Sequence, residues 1–145
     1  PDRDAERHII RHNIRSVDLN SITPAVSAKD IIDAQQIIHD IYVDEKVEDY
    51  VLDLVSATRY PSRYKLEDLV GIIDFGVSPR ATINLIRAAK ARAFTENRGY
   101  ITPEDIRYIG ADVLRHRIIL SYEAEAEELT SEDVIHRLFE VIEIP

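Results

Sequence analysis

No cysteine occurs among the 145 residues, which excludes disulfides and thiolate metal sites and permits a reducing compartment without requiring one. Methionine is absent too, so either a starter residue has been trimmed from before Pro1 or the sequence is a piece of something longer, and the second is expected. Only four glycines are present, Gly71, Gly76, Gly99 and Gly110, too few for a glycine-rich nucleotide cradle outside one short stretch. No apolar run approaches the ~18 residues of a membrane-spanning helix and no signal peptide opens the chain, so a soluble protein with no membrane role is expected. Positive charge is in the minority: 18 Lys plus Arg stand against 27 Asp plus Glu, and the net charge of −9 creates a field that repels nucleic acid and anionic lipid. What remains is 45% hydrophobic, enough for one compact domain burying about two-thirds of the surface its unfolded chain exposes.

Helix signals run through most of the sequence. The opening DRDAERHIIRHN reads as a helix, and Ser27 with Asp30 forms a capping box ahead of AKDIIDAQQIIHDIY, where Ile31, Ala34, Ile38 and Ile41 share a stripe. Asp44 caps a third helix, with Val47, Val51, Leu54, Val55 and Thr58 on one face, Glu48, Asp49 and Asp53 on the other, and Tyr60-Pro61 at its end. SRYKLEDLVGIIDFG predicts a short helical turn near Leu66 to Val70, then an apolar extended piece to Phe75. Ser78 caps and Pro79 opens a helix reaching about Thr95, which Asn97, Arg98 and Gly99 close. Thr102 and Pro103 repeat that arrangement for EDIRYIGADVLRHRI, in which Gly110 is a candidate break. Thr130 and Asp133 cap a final helix whose Val134, Ile135, Leu138, Phe139 and Ile142 form one apolar face. Strand signals are confined to Ile72–Phe75 and Arg117–Tyr122. The expected fold is all-α or nearly so, a single helical bundle over residues 1–145 with at most short strands and no internal repeat.

The stretch GIIDFGVSPRAT, residues 71–82, nearly spells a nucleotide-binding phosphate loop, but Val77 stands where the lysine belongs and Ile72, Ile73 and Phe75 are bulky residues made for burial. A buried connector into a capped helix is the better reading. The helix that follows carries Arg80, Arg87, Lys90 and Arg92 with no acidic residue, a local reversal inside an acidic chain. Arg80 occupies the second helical position, where the helix dipole makes a cation unfavourable by about 0.3–1 kcal/mol. Two readings follow. Either Arg80 forms an internal salt bridge to Asp74 or a nearby glutamate, or it joins the helix N-terminus in meeting a phosphate held by another domain. Arg80, Asn84 and Arg87 share one stripe, with Leu85, Ile86, Ala89 and Ala93 on the buried one.

The segment FGVSPRATINLIRAAKARAFTENRGYITPEDIRYIGADVLRHRI resembles the lid domain of MoxR-type AAA+ ATPases, whose pattern is G-x-S-P-R-A, a helix, G-x-x-x-T-x-x-D-(I/V), and V-L-x-H-R, with one residue fewer here between Gly99 and Thr102. The opening PDRDAERHIIRH resembles the helix after the last strand of that family's ATPase core, and the acidic ending YEAEAEELTSEDVIHRLFEVIEIP matches how such chains finish. The resemblance covers essentially the whole sequence, with residues 1–14 as a helix linking from the absent core and 118–145 as a C-terminal extension and last helix. It implies that Arg80, in the Ser78-Pro79-Arg80 motif, is the sensor-2 residue touching the γ-phosphate of ATP, with ATP and Mg2+ bound by the full-length parent and none held tightly by this piece alone. It further implies a cytoplasmic ring-forming homo-oligomer with chaperone-like work on client proteins, its own N-terminal AAA+ core as first partner, and a von Willebrand A-domain protein as a further one. The 61–75 insert departs from the family pattern.

No phosphate cradle, Asp-Glu strand end or sensor strand is present, so this piece alone is expected to hydrolyse nothing. An alternative of a different class is a stand-alone acidic helical adaptor for a basic protein partner. A helix-turn-helix reading would have to overcome the net charge. His8 and His12 have a spacing that zinc sites use, but no third ligand follows. In LRHR, residues 114–117, cationic side chains at a helix end favour the dipole, with a subunit contact as the rival. The seven tyrosines are scattered and read as core-edge packing.

Overall fold

The computed structural model describes residues 1–14 and 23–145, without the side chains of His12 and Asn13. These residues group into two compact units, 1–33 and 34–145. In the first, α1 (Arg3–Ile14) starts where Asp2 accepts hydrogen bonds from the Asp4 and Ala5 N–H groups at 3.1 and 2.8 Å. The start of α2 (Ala28–Asp40) is set by the expected capping box: Asp30 accepts from the Ser27 N–H at 2.7 Å, and the Ser27 hydroxyl accepts from the Asp30 N–H at 3.2 Å.

The second unit is a helical bundle around one core. In α3 (Glu45–Arg59), Asp44 caps the Lys46 N–H at 3.0 Å, and the expected stripe of Val47, Val51, Leu54, Val55 and Thr58 is buried together with Tyr50 and Ala57. Two 3-10 turns, Pro61–Tyr64 and Glu67–Leu69, place Leu66 and Leu69 in that core before β1 (Ile73–Phe75). Helix α4 (Pro79–Thr95) lies against α3 and α5 (Pro103–Leu114). Its buried residues Ala81, Leu85, Ala89 and Ala93 follow one another at steps of four, and the small side chains let neighbouring helices approach closely. Strand β2 (Ile119–Leu120) pairs antiparallel with β1, Ile73 opposite Leu120 and Phe75 opposite Ile119. A short α6 (Tyr122–Ala126) leads to α7 (Ser131–Val141), which the Thr130–Asp133 capping box starts as expected. Each fully buried Leu or Ile, such as Leu54, Leu85, Ile106 and Leu114, contributes about 1.5–3 kcal/mol of burial, so the core spans α3, α4, α5 and α7.

Two expectations fail for definable reasons. Phe75, read as a buried residue, is 62% exposed: the β1–β2 register shifts between Ile73 and Phe75, so that Ile73 pairs with Leu120 against the core while Phe75 stands opposite the open Ile119. Gly110 does not break α5; it lies under the Phe139 ring of α7, where a β-carbon would collide with the ring. The α2 stripe runs inward along its length: Ile31 is 50% exposed, Ala34 and Ile38 are half-buried, and Ile41, one residue beyond the helix, enters the core.

Candidate functional site at the start of helix α4

The chain reaches α4 through a constrained corner. The Gly76 backbone runs against the end of α3, where a β-carbon would come within 2.5 Å of the Thr58 carbonyl oxygen. Val77 follows with its side chain 1% exposed and its N–H donating to the Thr58 hydroxyl at 3.0 Å. Ser78, Pro79 and Arg80 then emerge together at the surface. Ser78 has the extended backbone of an N-cap, but its hydroxyl makes no capping hydrogen bond, contrary to the sequence expectation; the turn is closed instead by the Ser78 carbonyl, which accepts from the Ala81 N–H at 2.8 Å. Pro79 has no N–H to satisfy. The positive end of the helix therefore opens outward with an unused hydroxyl beside it.

Arg80 is exposed and forms no ion pair among the described residues; the anticipated bridge to Asp74 is absent, and Asp74 is itself exposed. Arg87, two turns along the same side, is likewise exposed and without a carboxylate partner among those residues. Between them Ile83 is 50% exposed and borders a groove of about 900 Å3, lined also by Ile38, His39, Leu52, Ile86 and Arg87. Its apolar floor is edged by charges of both signs, Arg87 and Lys90 with Glu48, and can accept a partner that is part apolar and part polar.

Residues 71–138 match the AAA lid domain family. Chaperone MoxR1 of Mycobacterium tuberculosis is 37% identical over 120 residues, 83% of this chain and 32% of the relative. Protein MoxR of Paracoccus denitrificans is 40% identical over 102 residues, 66% of this chain and 30% of that protein. The crystal structure of a "putative ATPase" from Cytophaga hutchinsonii has the same fold at a TM-score of 0.88 and 38% identity, across 99% of this chain and 44% of that one. The chain is a lid region of the MoxR-type AAA+ ATPases. It spans less than half the length of each of these relatives.

Several other basic residues of the lid are occupied internally. Arg92, grouped by sequence with the basic face, turns toward α5 and donates through Nε to Asp105 at 3.1 Å, its guanidinium stacked over the Tyr108 ring at 3.3 Å from the centroid. Arg98 grips the same carboxylate with both terminal nitrogens, one at 2.8 Å, and the Thr102 N–H adds a bond of 2.8 Å. Burial by itself would raise the Asp105 carboxyl; the Arg98 and Thr102 hydrogen bonds and the Arg98 charge outweigh it and hold the carboxyl below its ordinary value. Lys90 donates to the His39 carbonyl at 2.8 Å, closing the last turn of α2. Arg115 and Arg117 donate back to the Ala111 and Val113 carbonyls at 3.2 and 3.0 Å, the capping role read from sequence. No group of three or more metal-ligating side chains occurs among the described residues, and the His8–His12 pair lies partly outside them. No described helix is long and apolar enough to cross a membrane.

Sequence reasoning placed Thr58 on the inner face of α3 without noticing its tie to Val77. A hydroxyl among valines and leucines is the available signal, since a buried polar group needs a partner. The Thr102–Asp105 spacing marks Asp105 as a capping-box acid, but nothing local to the sequence shows that Arg92 and Arg98 converge on it.

Proposed function

We propose that this lid serves as the sensor-2 element of a MoxR-like AAA+ ATPase, with Arg80 as the residue that meets the terminal phosphate of a nucleotide held by an adjoining ATPase core. The observation that carries the reading is the free, outward guanidinium at the open N-terminus of α4. A cation there is disfavoured by the helix dipole, is left uncompensated by its own bundle, and gains most from an arriving anion. The donor set fits a phosphate: a planar fork from Arg80, with the Ser78 hydroxyl beside it and a proline that contributes no competing donor. Bound ATP with Mg2+ supplies the transferable phosphoryl group.

Arg80 donates to the outermost phosphate oxygens and thereby links the lid's angle to the state of the nucleotide. The rigid α3–α4–α5 packing carries that angle to the rest of the lid, a lever for chaperone-like remodelling of client proteins. In this reading residues 1–14 lead from the core, 118–145 extend the lid, and the apolar groove beside Ile83 receives the core. A cytoplasmic homo-oligomeric ring, and a von Willebrand A-domain protein as a partner, complete the proposal on family likeness.

The test is Arg80→Ala in a chain carrying both core and lid. Loss of about 100-fold or more in ATP turnover, with the lid's helical content and unfolding midpoint unchanged, is expected from removing a charged transition-state contact. Wild-type turnover in that variant would refute the assignment.

A further inference from the structure

The Arg80 guanidinium has no side-chain partner among the described residues, so its aim is set by the backbone from which it projects. On its N-terminal side that backbone is fastened to α3. Thr58, 1% exposed in the last turn of α3, donates its hydroxyl to the Val55 carbonyl at 2.7 Å and accepts from the Val77 N–H at 3.0 Å, bridging 19 residues of sequence. Gly76 presses against the carbonyl of the same residue, and the Val77 side chain fills the core beside it. Three residues later the chain presents Arg80.

We infer that Thr58 is a positioning residue for Arg80: its hydroxyl pins the Gly76–Val77 corner to α3 and so fixes the point from which the guanidinium reaches phosphate. This rests on the sensor-2 reading of Arg80. A single charged donor acts only when placed within a fraction of an ångström, and displacement of about 1 Å can cost up to 100-fold in rate. Helix α4 keeps its own hold on the core through Ala81, Leu85, Ala89 and Ala93, so loosening the corner disturbs the aim of Arg80 more than the presence of the helix.

The experiment compares Thr58→Val, Thr58→Ser, Arg80→Ala and the Arg80→Ala/Thr58→Val double variant in a chain carrying both core and lid. Valine keeps the shape and removes the hydroxyl. Thr58→Val is expected to lower ATP turnover about tenfold, Thr58→Ser to restore it to within about twofold, and Thr58→Val to have no further effect once Arg80 is alanine. Backbone amide exchange over residues 76–81 should accelerate in Thr58→Val while that of α5 is unchanged, a readout independent of turnover. Should Thr58→Val fail to fold, Thr58→Ala, which admits water to the Val77 N–H, carries the same comparison. Equal losses with and without Arg80, or full turnover in Thr58→Val, overturn the positioning role while leaving the phosphate role of Arg80 intact. Full turnover in Arg80→Ala removes both.

Discussion

The two ends of α4 carry arginines in opposite circumstances. At its start Arg80 is exposed, unpaired among the described residues, and set against the helix dipole. At its end Arg92 lies under the Tyr108 ring and shares the 1%-exposed carboxylate of Asp105 with Arg98. The second arrangement ties α4 to α5 and commits both guanidiniums to a carboxylate of the lid itself. The first contributes nothing visible to the bundle and keeps its whole bonding capacity outward. Charge in excess of what the fold uses points to function more clearly than charge itself, because a buried pair is retained by the cost of breaking it while a free cation is not.

That contrast can be broken at its buried end first. Asp105→Asn leaves two guanidiniums facing a neutral amide, and should destabilise the lid by about 3 kcal/mol, the low end for a broken buried pair because both arginines keep some access to water. Urea unfolding checks it, and a change below about 0.5 kcal/mol would mean that the cluster is decoration.

A gentler probe of the same end is acid. The Asp105 carboxyl lies below its ordinary value of 3.8 in the folded lid, so its contribution is complete above 3.8 and is lost as pH falls through the lower, folded value. Asp133 is lowered too, by the Thr130 hydroxyl and N–H, and adds to the same window. The unfolding midpoint should therefore fall steeply below pH 3.8, with a shallower slope in Asp105→Asn.

At the free end the expected stability effect is smallest. Arg80→Ala and Arg87→Ala should each change unfolding free energy by less than about 0.5 kcal/mol, as unpaired surface residues do. For Arg80 the sign should favour alanine, since a cation leaves the positive helix end. A loss above about 1 kcal/mol would show that the guanidinium has a structural partner and would erase the contrast.

Local patterns in the sequence were read well where one element supplied both signal and partner. The Thr130–Asp133 box and the Val134, Ile135, Leu138, Phe139, Ile142 face of α7 lie within one helix, as do Asp44 and the α3 stripe. Reading failed where the partner is distant. Gly110 resembles a helix breaker until the Phe139 ring is seen on it, and Arg92 resembles a solvated cation until Asp105 is brought beneath it. Phe75 resembles core until strand pairing assigns its face. The α2 stripe fits its periodicity and runs from the open Ile31 to the buried Ile41, leaving its first turn as a surface that the proposed core would cover.

The order of residues alone determined the helical character, the capped starts, the inward faces of α3 and α7, and the family, because each depends on spacing within a few turns. Only the tertiary structure decided which arginine is free and which is spent. Pairing is a contest between carboxylates brought together from remote positions, and no spacing along the chain states that Asp105 wins Arg92 and Arg98 while Asp74 leaves Arg80 open to the outside.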